Sequence, residues 1–509
     1  MDATQITALP QSTLATLPVL TGGEQQSQVI SGIAAGTCQI VIKYAASLPS
    51  YVCRFFSTKT TNHHSIYSPP SNPRQRFIKT LKTKAISPSQ FALPSNYRAA
   101  TDSTEKLRTH PATDRPLAAQ PDVPNTLLCG IFRRFLDNVQ SSCPLPEDYD
   151  LAIAMRACMS EIYAHESLLR DAMNKIFMAR FQESMAPHAI LGRYEVDGLQ
   201  WLSKIMVALA EYKKDASGGS EPQFQSVHYY STATINEAEK DLQRRLPLLL
   251  MTCVGSVLTF SGGVWNSEKP VVQKLFEATA SFDWDMSNDE AMEKAARLMR
   301  AYSIAITEIS VYKDPAHSAD FPDVTSWDDP QHGGQHQFRY VERVPGHLLF
   351  RATDESNQRL LVKFTKRYSP ELHHFCAQKG FAPELKAVVD IGGRWRMVVM
   401  ADVSEAYHSV GESQEFSSIV THPCLEQFKR AVQGMHNAGF VHGDIRLPNI
   451  LVHKTDVNKP LLLVDFDWGG LANEVRYPGA LNPVIQRHSG ARSGLCITTD
   501  HDTFMLEQL

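Results

Sequence analysis

The sequence predicts an α+β fold whose C-terminal part forms two lobes, and three observations carry that prediction. Two strand-length apolar runs, Ile450–Val452 and Leu461–Val464, bracket the polar turn Lys454–Lys459 and read as a hairpin. Polar residues crowd its two ends, with His442, Asp444, Arg446 and Asn449 just before the first run and Asp465 and Asp467 just after the second. Upstream, the runs Phe338–Val344, His347–Ala352 and Arg359–Thr365 read as consecutive strands, the last holding Lys363 among apolar neighbours. Strands thus dominate the first lobe, and the hairpin delivers two acidic ends and an Asn to neighbouring points of the second.

With 509 residues the chain is long enough for two or three domains, and an apolar content of 43% allows a sizeable core. The net charge of −4 argues against a general affinity for nucleic acid or for a membrane surface. Nine cysteines lie between Cys38 and Cys496 without a Cys-x-x-Cys pair, the pattern of reduced thiols in the cytoplasm or nucleus. Apolar runs fall short of the roughly 20 residues of a membrane-spanning helix. Gln, Ser, Thr and Pro interrupt Met1–Leu20, against a secretory signal, and Arg54-Phe55-Phe56-Ser57 lies too far in for an organelle presequence.

Residues 1–122, rich in Ser, Thr, Gln, Pro and Ala, read as a disordered tail that buries too little apolar surface to fold. Within it Asn72–Lys84 is a basic run, read as a nuclear-import signal, an anionic contact or simply a solvated tail. Residues 123–330 read as a mainly helical, mixed accessory domain. Helical spacing runs through Leu127, Leu128, Ile131, Phe132, Phe135 and Leu136, then from Asp148 to Phe181 with a break near His165. Leu199–Tyr212 reads as a further helix, and Leu248–Met251 with Val257–Phe260 as a hairpin begun by Pro247. A last helix starts at Ser287, with Glu290 completing a capping box. Glu237-Ala238-Glu239-Lys240 has the wrong spacing for a nuclease-like Asp…Glu-x-Lys set, so a scaffold or binding role is the expectation here.

Residues 331–509 carry the chemistry. Phosphoryl transfer needs one carboxylate to orient the attacking hydroxyl and take its proton, and an Asn and a second carboxylate to hold magnesium on the nucleotide phosphates. Magnesium is a hard cation and takes oxygen ligands. The order His-x-Asp-x-(Lys/Arg)-x-x-Asn, strand, strand, Asp-Phe-x is that of a kinase catalytic loop and magnesium loop. The expected fold is therefore protein-kinase-like, with ATP and Mg2+ as cofactors. Lys363 is placed to neutralise the α- and β-phosphates. Glu371, on a short helix opened by Tyr368–His373, is placed to pair with Lys363, with Glu384 as the alternative. The strand Arg394–Met400 leads into Ala401-Asp402-Val403, an interlobe hinge whose backbone faces the adenine edge. Pro345-Gly346 stands where a Gly-x-Gly-x-x-Gly loop would cover the phosphates, which keeps backbone amides farther from them.

Together with Gly380-Phe381-Ala382-Pro383, Val399-Met400, Arg476-Tyr477-Pro478 and His501–Leu506, these motifs make the chain over about Gln337–Leu509 resemble the fungal-type protein-kinase-like family that includes the kinase-bearing Crinkler effectors. The likeness is weaker over Phe224–Tyr312, and the Leu-Phe-Leu-Ala-Lys-like motif of secreted Crinklers is not seen. The resemblance implies roles. Asp444 is the catalytic base, Arg446 replaces the loop Lys that touches the γ-phosphate, and Asn449 and Asp465 hold magnesium. Asp502 begins a helix that braces the catalytic loop, and His442 packs behind Asp465.

Three departures stand out. Gly443 replaces the Arg that pairs with an activation-segment phosphate. Asp467 replaces the Gly of Asp-Phe-Gly and offers a further metal contact. The short stretch after Asp502 implies a truncated C-lobe without the helices that grip a peptide. Three functions fit: a kinase acting on Ser or Thr hydroxyls of a protein substrate, a small-molecule phosphotransferase of the aminoglycoside or choline kinase kind, and a pseudokinase or interaction module. Arg446, two after Asp444, favours the first.

Overall fold

Two six-stranded sheets and the helices against them organise residues 72–509. The computed structural model describes residues 29–32, 38–41 and 72–509, apart from 84–85, 103, 109, 182–188, 192–193, 218, 281–283, 329–332 and 411–421. The chain divides into two units, Met1–Pro70 and Ser71–Leu509. In the first, Val29–Gly32 pairs antiparallel with Cys38–Val41. The second holds every site residue expected from the sequence.

Folded structure begins earlier in the chain than its composition suggests. Helix α1 (Pro73–Thr83) buries Phe77 and Ile78, and Arg74 beside them is fully buried. The Arg74 guanidinium donates to the carbonyls of Asp241 (3.0 Å) and Arg244 (2.5 Å) and lies 5.0 Å from the Trp265 ring centroid. Short helices follow to Arg108, and Phe91 and Tyr97 pack into an aromatic cluster with Phe224. The expected tail over residues 1–122 is thus corrected from residue 72 onward. Its few apolar side chains suffice because partners far along the chain supply the rest of each contact. Within the basic run Asn72–Lys84, Pro73–Thr83 form α1, with Arg76, Lys79 and Lys82 on its exposed face and Lys84 outside the described residues.

The first sheet comprises β1 (Ala112–Thr113), β2 (Gly198–Leu202), β3 (Ile205–Lys213), β4 (Leu248–Val254), β5 (Val257–Trp265) and β6 (Pro270–Thr279), in the order β1-β6-β5-β4-β3-β2. Helices α2 (Gly130–Ser141), α3 (Pro146–Ser160) and α4 (Glu166–Phe181) precede β2, with the break near His165 where the pattern places it. Strands β3 and β4 run parallel, so a crossover must join them, and α5 (Pro222–Lys240) is that crossover. Leu199–Tyr212, expected as a helix, is instead the hairpin β2–β3. Its turn at Ser203-Lys204 has positive φ at both residues (49° and 67°) without the Asn-Gly signature of such turns. Moreover, Val207–Tyr212 is buried on both faces, which erases the two-residue alternation. The next helix, α6 (Asp289–Ser310), is capped by Asn288, one residue beyond the expected Ser287, through bonds from the Glu290 and Ala291 amides.

The second sheet is antiparallel throughout. It contains β7 (Ser326–Asp328), β8 (Gln335–Val344), β9 (Leu349–Asp354), β10 (Arg359–Thr365), β11 (Leu385–Gly392) and β12 (Trp395–Ala401), in the order β7-β8-β9-β10-β12-β11. One hydrophobic cluster runs from Phe135 and Phe260 beside the first sheet to Phe350 and Val399 in the second, so the expected boundary at residue 330 falls within a shared core. Polar contacts from α2 and the turn before it reinforce the junction: Arg133 Nε donates to Ile391 O (3.0 Å), the Gly393 amide to Asp137 (2.9 Å), and Trp395 Nε1 to Thr126 (3.0 Å). After β10 come α7 (Pro370–Gln378), α8 (Leu425–Asn437) and α9 (Thr499–Glu507), which share a second cluster around Leu372, Phe428, Ile450, Phe466 and Met505. No described helix is long and apolar enough to cross a membrane.

The role of α1 is testable. Arg74→Ala leaves two buried carbonyls without their donor and is expected to destabilise the protein by about 2 kcal/mol, seen as a lower unfolding midpoint in urea. Arg76→Ala, on the exposed face, is expected to leave the midpoint unchanged.

Candidate active site

The hairpin expected between Asn449 and Asp465 is present, with β14 (Ile450–His453) pairing antiparallel with β15 (Leu462–Leu463) and β13 (Tyr407–Ser409) on its outer edge. It brings together Asp444, Arg446, Asn449, Asp465 and Asp467, and β10 of the second sheet supplies Lys363.

Lys363 is the contact on which these parts converge. Its ammonium lies 2.5 Å from Asp465 Oδ1 and 2.5 Å from Asp467 Oδ1, and 15% of its side chain is exposed. Burial opposes the charge, but the two carboxylates outweigh it and hold the pKa above the ordinary lysine value. The carboxylates differ in turn. Burial raises both, yet Lys363 brings Asp465 below its usual range, while Asp467 beside the Asp465 charge stays above it. Glu371, expected to orient Lys363, lies exposed on the first turn of α7 and takes no part. Asp467 takes that place. Its Oδ2 accepts from Thr365 Oγ1 at 3.0 Å, and Thr365 follows Lys363 by two on β10, hence on the same face. Glu384, the alternative, pairs with Lys386. An acidic residue two after Asp465 was the available signal for this arrangement.

Asp444 is 5% exposed and fully engaged. Its Oδ2 accepts from Arg446 Nε (2.9 Å) and Asn449 Nδ2 (3.0 Å), and its Oδ1 from Arg487 Nη2 (2.6 Å). Asn449 Nδ2 also donates to Asp444 O, at 2.9 Å. Both acceptors are oxygens, which assigns the amide nitrogen to that side and keeps Oδ1 for another partner. Arg487 was not legible in the sequence, because it approaches from 43 residues downstream in an irregular segment. Its guanidinium also donates to Gly443 O (3.3 Å) and lies 5.1 Å from the Trp468 ring centroid.

The loop under this site is pinned from below. Asp502 of α9 is fully buried and accepts from the amides of His442 (2.6 Å) and Gly443 (2.7 Å). His442 Nδ1 accepts from the Asp444 amide at 3.2 Å, which makes Nε2 the donor to Val464 O, at 3.1 Å. Gly443 has φ = +83°, a left-handed backbone that strains an Arg or any other side chain there, and a Cβ would also press on Ile497 Cδ1. At the hinge, the Ala401 and Asp402 amides already donate to Glu384 O and Arg359 O, which leaves Val403 as the remaining amide of the expected adenine contact. The β8–β9 turn at Pro345-Gly346 is tight, as its sequence implied.

Residues 395–476 match the profile of the Kdo/WaaP lipopolysaccharide kinase family. That segment contains Asp444, Arg446, Asn449, Asp465 and Asp467, whereas Lys363, Arg487 and Asp502 lie outside it. No curated protein matches the chain. Among solved structures, the kinase PK-1 of Cydia pomonella granulovirus aligns at 14% identity and a TM-score of 0.28, covering 33% of this chain. The alignment spans 65% of the viral kinase, less than two thirds of its length.

Orientation of Lys363 by Asp467 separates two variants. Asp467→Asn is expected to raise the apparent KM for Mg-ATP about tenfold in steady-state turnover, and Glu371→Gln to leave it unchanged. Equal effects, or an effect of Glu371→Gln alone, would restore Glu371 as the orienting residue.

Proposed function

We propose that residues 331–509 form a two-lobed, protein-kinase-like phosphotransferase that uses ATP and Mg2+ and transfers the γ-phosphoryl group to Ser or Thr hydroxyls of a protein. The observation that carries this reading is the convergence of Lys363, Asp465 and Asn449 beside a buried, three-fold hydrogen-bonded Asp444.

The donor set suits the expected cofactors. Asp465 and the carbonyl oxygen of Asn449 are hard oxygen donors of the kind magnesium takes, and Lys363 is a buried cation suited to phosphate oxygens. Magnesium, when bound, supplies neutralisation of charge on the phosphates. Asp444 accepts the proton of the acceptor hydroxyl as its oxygen bonds to the γ-phosphorus. The bond from that phosphorus to the β–γ bridging oxygen breaks, and ADP departs. Arg446, beside Asp444 Oδ2, takes the γ-phosphate contact of the usual Lys. Arg487 adds a second guanidinium at Asp444 Oδ1, which offsets the charge lost where Gly443 replaces Arg.

A second reading places the acceptor hydroxyl on a sugar or another small molecule. The match of residues 395–476 to a lipopolysaccharide kinase family favours it. In a third, the fold binds nucleotide without turnover, which the tight Pro345-Gly346 turn favours. The fungal-type resemblance accords with the first reading.

Transfer of labelled γ-phosphate from Mg-ATP, to a generic protein substrate and to a panel of sugars and amino alcohols, tests all three. The first reading predicts labelled protein, reduced at least about 100-fold by Asp444→Asn and by Asp465→Asn. Label confined to small molecules selects the second reading. ADP release that stays at background in every arm selects the third.

A further inference from the structure

Outside the site just described, a second cluster of charged groups lies at one end of the first sheet. Glu211 and Lys213 stand two apart on β3 and therefore share a face. Lys213 Nζ lies 2.7 Å from Glu211 Oε1 and 2.8 Å from Glu166 Oε1 of α4. Gly198 pairs with Ala210, which sets Asp197, one step earlier, level with Glu211. Asp197 Oδ2 accepts from the Tyr212 amide at 2.9 Å, and its Oδ1 lies 3.5 Å from Arg170 Nη1. The hairpin that overturned the expected helix thus assembles an Asp…Glu-x-Lys set, the pattern sought without success at Glu237–Lys240.

The placement of the cluster distinguishes it from a surface ion network. The side chain of Glu211 is 2% exposed, those of Asp197 and Lys213 are 13% and 14% exposed, and Glu166 at the rim is 42% exposed. Charges held this deep carry a large desolvation cost, which an isolated structural pair seldom repays. Three carboxylates, of Glu166, Asp197 and Glu211, are met here by two cations, Lys213 and Arg170. The cluster also sits at the carboxyl end of β3, which runs parallel to β4, the end at which open sheets gather ligands.

We propose that Asp197, Glu211 and Lys213 form a second centre, separate from the Asp444 site, that holds a divalent cation and hydrolyses phosphodiester bonds of a nucleic acid. Two carboxylates suffice for magnesium or manganese when substrate phosphate and water complete the shell. Among the described residues no group of three or more His, Cys, Asp or Glu could hold a metal ion by itself, so substrate phosphate and water would have to supply the remaining oxygens. The attacking water forms the new bond to phosphorus, and the ester bond from phosphorus to a sugar oxygen breaks. The proton released from water ends, through solvent, on that sugar oxygen. Lys213 stabilises the added negative charge on the phosphoryl oxygens. Glu166 and Arg170 of α4 orient Lys213 and Asp197.

The test uses the full chain carrying Asp465→Asn, which removes the other cation site. It is incubated with single- and double-stranded DNA and RNA in Mn2+, in Mg2+ or in EDTA, and bound Mn2+ is counted by electron paramagnetic resonance. Cation-dependent cleavage of at least one substrate is expected. Asp197→Asn, Glu211→Gln and Lys213→Met are each expected to reduce it about 100-fold or more, with unfolding temperatures within a few degrees of the parent. One bound Mn2+ is expected in the parent, lost in Glu211→Gln. Failure to cleave any of the four substrates overturns the proposal, as does cleavage or Mn2+ binding that persists in the folded variants. The four substrates also decide between DNA and RNA.

Discussion

Lys363 carries its ammonium into a place where only 15% of its side chain remains exposed, and Asp465 and Asp467 make that burial tolerable. The three residues come from two elements, one from β10 and two from the loop after β15, so the contact ties the second sheet to the C-terminal part of the chain. Each group alone is costly in such surroundings. Together they hold a cation and two anions at hydrogen-bond distance, in the arrangement a nucleotide with its magnesium would exploit. Asp467 frees this arrangement from α7: where a helix-borne Glu would make the lysine's orientation depend on helix position, here Thr365 on the same strand fixes the partner.

A second constraint acts from beneath. The two carboxylate oxygens of Asp502 take the amides of His442 and Gly443, which otherwise would be buried donors without partners. The loop so held needs a left-handed residue with no side chain at position 443. The positive charge that an Arg would contribute there arrives instead from Arg487. The left-handed backbone at position 443 disfavours an Arg there, and the Arg487 guanidinium lies against the same loop, on Gly443 O and Asp444 Oδ1.

Much of the Asp444 site was legible because its residues are close in sequence or sit at strand ends set by apolar runs. Asp444, Arg446, Asn449 and Asp465 fall within 22 residues and around one hairpin, and Lys363 stands out as a charge in an apolar strand. Glu371 and Arg487 mark the limit: a pairing across the cleft and a contact from an irregular segment depend on tertiary packing, which local pattern does not encode. The fold shows the same division. Helices α2, α3, α4 and α6 follow their 3.6-residue period, and β8, β9, β10 and β12 follow their strand runs, whereas β7 and β11 were not read as strands. The β2–β3 hairpin was obscured by a turn without glycine and by a strand buried on both faces, and with it the pairing of Asp197 with Glu211 and Lys213. Helix α1 was obscured because its stability comes from Asp241, Arg244 and Trp265, far along the chain.

The most direct test of the account is calorimetric titration of the full chain with ATP, with and without Mg2+. If Lys363 and Asp465 form the nucleotide site, ATP binds with Mg2+ present, and Lys363→Met and Asp465→Asn each weaken it by about tenfold or more in protein that circular dichroism shows to be folded, with a lowered unfolding temperature because each leaves a buried charge without its partner. Equal affinity in all three proteins, or binding indifferent to Mg2+, would contradict the assignment and return the Lys363 contact to a purely structural role.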